Sequence, residues 1–173
     1  MTAKKELWVL LSMFVLPIAL GTAFYFLNPN YFSDNTVNYG KLVQPIIATD
    51  ESDIALEDDN TLHGLWTFAY IAESCDGACN TGIKNIKDIR ILMNDDMLRV
   101  QRIAIIADKT GPSEQDLGLI GASISSDGLQ QKLSNYPQRA IFLIDPLGNI
   151  MLHYEPEGLN IKRVIKDLKR LFK

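Results

Sequence analysis

Two cysteines, Cys75 and Cys79, are the only thiols among 173 residues, and they stand four apart. Residues four apart on a helix lie on one face about one turn from each other, so two sulfurs so placed can meet. At the first turn of a helix, unpaired N–H groups and the positive end of the dipole favour a thiolate. A thiolate attacks disulfides and binds soft metals, so the pair can exchange with partner cysteines or hold a soft metal ion. Cys75, nearer the helix start, is expected to attack and Cys79 to resolve. The same spacing also occurs in inert core thiols and in static structural disulfides. A one-turn loop gives little loop-closure stabilisation, however, and a purely structural bridge uses the pair poorly.

The elements that must position the cysteines are legible around them. Leu65 to Ile71 is short, aromatic and β-rich, the composition of a buried strand. Ser74, Cys75, Asp76 and Gly77 follow, and then Ile83, Ile86 and Ile89 recur at helical spacing. The helix is expected to start between Asp76 and Asn80 and to end around Asn94, Asp95 and Asp96. This strand-to-helix context is the one that thiol chemistry on a thioredoxin-like fold uses. The expected fold class is therefore α/β, a thioredoxin-like sheet flanked by helices. Val100 to Ala107 reads as a second strand beside the first through a right-handed crossover. Asp108 to Gln115 reads as a loop at the sheet end that presents the cysteines. Arg139 to Asp145 and Asn149 to Tyr154 read as a hairpin around Pro146, Leu147 and Gly148. Leu159 to Lys173 reads as a closing helix. Leu42 to Ala48 is a strand candidate, Ile54 and Leu56 suggest a hairpin arm, and Leu117 to Leu133 shows only a short helix at Leu129 to Leu133.

Gly64, Leu65, Trp66 and Thr67 leading into an aromatic strand, then Ser74-Cys75-x-x-x-Cys79, resemble the core of the SCO/SenC family of cytochrome c oxidase copper-assembly proteins. Ile105 to Lys109 with Pro112, and Phe142 to Ile150, are similar to two further blocks of that family. The resemblance spans most of Leu42 to Phe172. It implies a copper site at Cys75 and Cys79, delivery of copper to cytochrome c oxidase, or reduction of the oxidase cysteines that receive copper. Its partners would be an oxidase subunit or its assembly factors. Family members carry a histidine shortly before the hairpin strand that completes the copper site, and the family's spacing lands here on Pro137. His63 precedes the first core strand by a distance that puts it more than about 20 Å from Cys75. His153 lies on the outgoing hairpin arm, and both histidines are expected to be solvated or capping residues. Thioredoxin-like folds often have a cis proline facing the cysteines, a part that Pro137 is placed to play.

Lys4 and Lys5 precede an uncharged run, Leu7 to Leu27, long enough at about 1.5 Å per residue to cross a hydrocarbon layer of about 30 Å. The lysines before the span, with no basic residue after it until Lys41, orient the N-terminus to the cytoplasm. The small residues Gly21, Thr22 and Ala23 permit a cleaved signal peptide instead, although Phe24 to Leu27 extends the apolar run beyond them. The domain reading is a cytoplasmic N-terminus at 1–6, a transmembrane anchor at 7–27, a linker at 28–40 and a thioredoxin-like domain at 41–173. The implied location is the bacterial inner membrane, single-pass, with the C-terminal domain in the periplasm.

The net charge of −4 and the lack of a basic patch interleaved with aromatics exclude an obvious nucleic-acid binder. There is no phosphate-cradling glycine loop, no calcium loop in the acidic stretch Asp50 to Asn60, and no motif serine beside either histidine. The sequence thus points to a membrane-anchored thiol-disulfide protein assisting oxidase biogenesis, without a certain cofactor and with copper as an option. A Cu(I) chaperone using Cys75 and Cys79, and a non-catalytic tethered interaction domain, are the competing readings.

Overall fold

The computed structural model describes residues 3–27, 37–58, 60–108 and 116–172. Most of the expected linker, 28–36, and most of the expected loop after the second core strand, 109–115, lie outside the described residues. The chain forms two compact units, Met1–Val37 and Asn38–Lys173.

In the first unit, α1 (Ala3–Leu27) is one helix, and its Lys5–Leu27 stretch is long and apolar enough to cross a membrane. Leu7, Trp8, Phe14, Ile18 and Phe26 are all exposed. Two of its hydroxyls are satisfied within the helix, Ser12 Oγ donating to the Val9 carbonyl and Thr22 Oγ1 to that of Ile18. That is what a lipid environment requires of a spanning segment.

The second unit is built on β1 (Lys41–Ala48), β2 (Ile54–Leu56), β3 (Trp66–Ala72), β4 (Val100–Ile106), β5 (Leu119–Ile124), β6 (Ala140–Ile144) and β7 (Asn149–Tyr154). They form one mixed sheet in the order β1-β7-β6-β3-β4-β5-β2. β3, β4 and β5 run parallel, and β6 runs antiparallel to β3. The crossover from β3 to β4 carries α2 (Gly77–Leu92). The later helices are α3 (Asp127–Leu133) and α4 (Ile161–Leu171). Covered on both sides, β3 and β6 read as nearly unbroken apolar runs because neither face meets water. Phe68, Tyr70, Ile141, Leu143 and Leu152 face α2 and α4, where they meet Ile83, Ile86, Ile89, Val164 and Leu168. Ala69, Ile103, Ile105, Phe142 and Ile144 form the other face with Leu129 and Leu133 of α3.

Several expectations are corrected. The Ile54–Leu56 strand is no hairpin arm: it pairs antiparallel with β5, far along the chain. β5 lies in a segment that shows only a short helix in the sequence. Its residues are mostly half-buried, and Gly121 interrupts its pattern because a Cβ there would meet the Glu57 carboxylate. α2 ends at Leu92, short of the acidic cluster, because Asn94 adopts a left-handed conformation (φ 52°) and a 3₁₀ turn, Asn94–Arg99, follows. Asparagine is among the few residues that tolerate such a conformation. The cis peptide bond among the described residues is Gln44–Pro45, not Tyr136–Pro137.

Candidate functional site at the strand-to-helix junction

β3 ends at Ala72, and the chain turns through Glu73, Ser74 and Cys75 into Asp76, the N-cap of α2. The Asp76 carboxylate accepts hydrogen bonds from the backbone N–H groups of Ala78 and Cys79, at 3.0 and 3.1 Å. Its other oxygen accepts from the Arg139 guanidinium at 2.7 Å, which ties the helix start to the chain entering β6. The Cys79 N–H bond first, together with Arg139, holds this carboxyl below the usual range. Two of the N–H groups expected to favour a cysteine thiolate are therefore already engaged by a carboxylate.

Cys75 and Cys79 form a disulfide with their Cα atoms 5.0 Å apart. Cys75 is half-buried, whereas Cys79 has no exposed surface and belongs to the core beneath α2. One of the two cysteines is thus partly open to solvent and the other is sealed. Around them Gln138 donates to the Glu73 carboxylate at 3.1 Å, and the Asp108 N–H donates to the Glu73 carbonyl at 3.0 Å. The loops after β3 and β4 and the approach to β6 consequently meet at one end of the sheet, as open α/β sheets place their sites.

Neither histidine is at that end of the fold with the cysteines. His63 sits before β3, with Nδ1 3.3 Å from Glu51 and Nε2 close to Gly148. His153 is 9% exposed, which corrects the expectation of a solvated or capping residue. It pairs in register with Phe142 and contacts the rings of Tyr136 and Phe142, on the sheet face opposite α2. Among the described residues no group of three His, Cys, Asp or Glu side chains could hold a metal ion. A shallow cavity of about 430 Å³, lined by Leu65, Arg90, Val100 and Gly118, lies toward the start of β3 and β4, away from the sulfurs.

Sequence reasoning overlooked Arg139 and Tyr70. Arg139 is distant in sequence, and only the β3–β6 pairing brings it to Asp76. Tyr70 looks like an ordinary member of an apolar strand, but its ring lies against Gly82 of α2.

Residues 66–173 match the family model described as a transmembrane-like, thioredoxin-like, C-terminal domain. No curated protein matches the chain. Among solved structures the fold is similar to a SCO1/SenC family lipoprotein from Bacillus anthracis, with TM-score 0.54, 16% identity, and 76% of this chain and 99% of that one covered. It is also similar to apo Sco1 from Thermus thermophilus, with TM-score 0.52, 16% identity, and 77% and 98% covered. Copper-bound ScoI from Bradyrhizobium japonicum gives TM-score 0.51 and 17% identity, with 72% and 99% covered.

Proposed function

The chain belongs to the transmembrane-like, thioredoxin-like C-terminal domain family, and on that premise we propose that it is a membrane-anchored thiol-disulfide protein that assists cytochrome c oxidase biogenesis by reducing copper-site cysteines. The observation that carries this reading is the asymmetry of the disulfide, one half-buried cysteine and one sealed in the core across the first turn of α2. Once reduced, the Cys75 thiolate attacks a partner disulfide, forming a mixed disulfide and releasing one partner thiolate. Cys79 then attacks the Cys75 sulfur, restoring the internal disulfide and releasing the second partner thiolate, so two electrons pass to the partner. The N-terminal span at 7–27 serves as a retained anchor in the bacterial inner membrane. The 28–40 segment links it to the 41–173 domain in the periplasm.

Replacing Cys79 by serine tests the assignment. The variant accumulates a mixed disulfide with its partner through Cys75, seen as a reducible higher-mass band on a non-reducing gel, and identification of an oxidase subunit in that band supports the oxidase role. Trapping by Cys75→Ser alone reverses the two roles, and trapping by neither refutes exchange.

A second reading has support in the copper-bound relative of similar fold. Here copper is cargo. Two reduced sulfurs suit Cu(I), which accepts low coordination by soft donors, and among the described residues no third His, Asp or Glu joins them in a group that could hold Cu(II). Copper stoichiometry and absorption of the reduced protein separate the readings, because one tightly held copper per chain favours the chaperone.

A further inference from the structure

Beneath the disulfide helix lies a polar atom that the exchange steps above leave unused. Tyr70 is fully buried, and its hydroxyl has no hydrogen-bond partner among the described residues. Buried hydroxyls are normally satisfied, so an idle one at a reactive junction calls for a physical account. Its place follows from its neighbours. The Cε2, Cδ2 and Cζ atoms of the ring are what a Cβ on Gly82 would meet. Gly82 follows Cys79 by three residues, on the same face of α2, and Cys79 packs in the same core as the ring. Burial raises the phenol pKa, and Arg139, Asp76 and Glu157 are the charges that act on it. Asp76 caps α2 and Arg139 binds Asp76, and the ring that carries the hydroxyl lies against Gly82, about one helical turn from Cys79 along α2. It stays protonated and therefore remains a donor.

Cys79 needs such a donor. With no exposed surface it has no water to stabilise a negative sulfur, and apolar surroundings raise a thiol pKa. Its own N–H and that of Ala78 are taken by Asp76. We propose that Tyr70 is a positioning residue for thiol exchange, its hydroxyl donating a hydrogen bond to the Cys79 sulfur when the disulfide opens. This rests on the exchange reading and adds to it the group that steadies the buried sulfur. In the disulfide the sulfur carries no charge and the hydroxyl is idle. When an external thiolate attacks the Cys75 sulfur, a bond forms there and the Cys75–Cys79 bond breaks. The electron pair goes to Cys79, which leaves as a thiolate and accepts the Tyr70 hydrogen bond. A second external thiolate then attacks the mixed disulfide, frees Cys75 and carries the other reductant away as its own disulfide.

The test equilibrates the full-length protein in detergent with reduced and oxidised glutathione and compares it with Tyr70→Phe, which keeps the ring against Gly82 and removes only the hydroxyl. The wild type reaches a measurable ratio of dithiol to disulfide. Tyr70→Phe shifts that ratio about tenfold toward the disulfide, a potential about 30 mV more negative. Thermal unfolding of its oxidised form is unchanged or moves upward, because the hydroxyl has no partner there among the described residues. An unshifted glutathione equilibrium, or a destabilised oxidised form, overturns the inference while leaving the exchange reading intact. A wild-type protein that never exchanges with glutathione overturns both.

Discussion

The seating of α2 on the sheet depends on the absence of one methyl group. Gly82 is buried inside the helix, and a Cβ there would run into the Tyr70 ring. In an exposed helix Gly→Ala gains about 1 kcal/mol from backbone propensity. Here the obstacle is the ring of a side chain with no exposed surface, held between β3 and α2. Forcing a methyl group into a close-packed site costs about 1–3 kcal/mol. Taking about 2 kcal/mol for the clash, Gly82→Ala loses about 1 kcal/mol net. At a urea dependence of about 2 kcal/mol per molar, the unfolding midpoint falls by about 0.5 M. The decisive measurement is the same substitution in a Tyr70→Leu background, where the ring is gone. There the propensity term stands alone and the midpoint rises by about 0.5 M relative to Tyr70→Leu, a coupling of about 2 kcal/mol between the two sites. If Gly82→Ala raises the midpoint of the otherwise unaltered protein, the helix does not rest on that ring and the placement of Cys79 argued above fails with it.

Two further predictions concern charge. Burial, and then Lys41, depress the His153 pKa against a smaller opposing effect of Glu155, so the unfolded chain binds a proton that the folded one refuses. The stability that His153 contributes is complete above its unfolded pKa of about 6.5 and declines as pH falls through that value toward the folded pKa. The slope is at most about 1.4 kcal/mol per pH unit. Urea midpoints measured between about pH 7.5 and 5 show the decline, and His153→Phe flattens it. Asp116 is buried, which pushes its pKa up, but the bonds from Arg102 and Lys87 more than reverse this and hold the carboxyl low. Asp116→Ala leaves the Arg102 side chain, 3% exposed, without its carboxylate, and denaturant unfolding is expected to show a loss of about 3–5 kcal/mol.

The parts of this fold legible in the sequence are those whose signal is local. β3 is an unbroken apolar run, α2 repeats isoleucines at helical spacing after a capping aspartate, and the β6–β7 turn carries its glycine at positive φ. The parts that were not legible depend on pairings distant in sequence. β5 lies half-buried between β4 and β2, so its pattern does not alternate cleanly, and β2 pairs with a strand separated from it in the chain by β3 and β4. His153 looks like a surface residue until register places it against Phe142 and Tyr136. The position of the cysteines at the strand-to-helix junction was readable from their neighbours. The groups around them were not, since Arg139 arrives with the chain entering β6 and Tyr70 is distinguished from other buried aromatics only by a hydroxyl without a partner among the described residues.

Asp167 of α4 is almost wholly buried and accepts hydrogen bonds from the backbone N–H groups of Tyr39 and Gly40, each 2.9 Å long. The Tyr39 hydroxyl in turn accepts the N–H of Asn160, the cap of α4. The first residues of the sheet domain are thereby latched to its last helix, and that helix packs against α2. A mechanical load arriving along the chain from the N-terminal side is expected to meet this latch before it reaches β1 at the edge of the sheet.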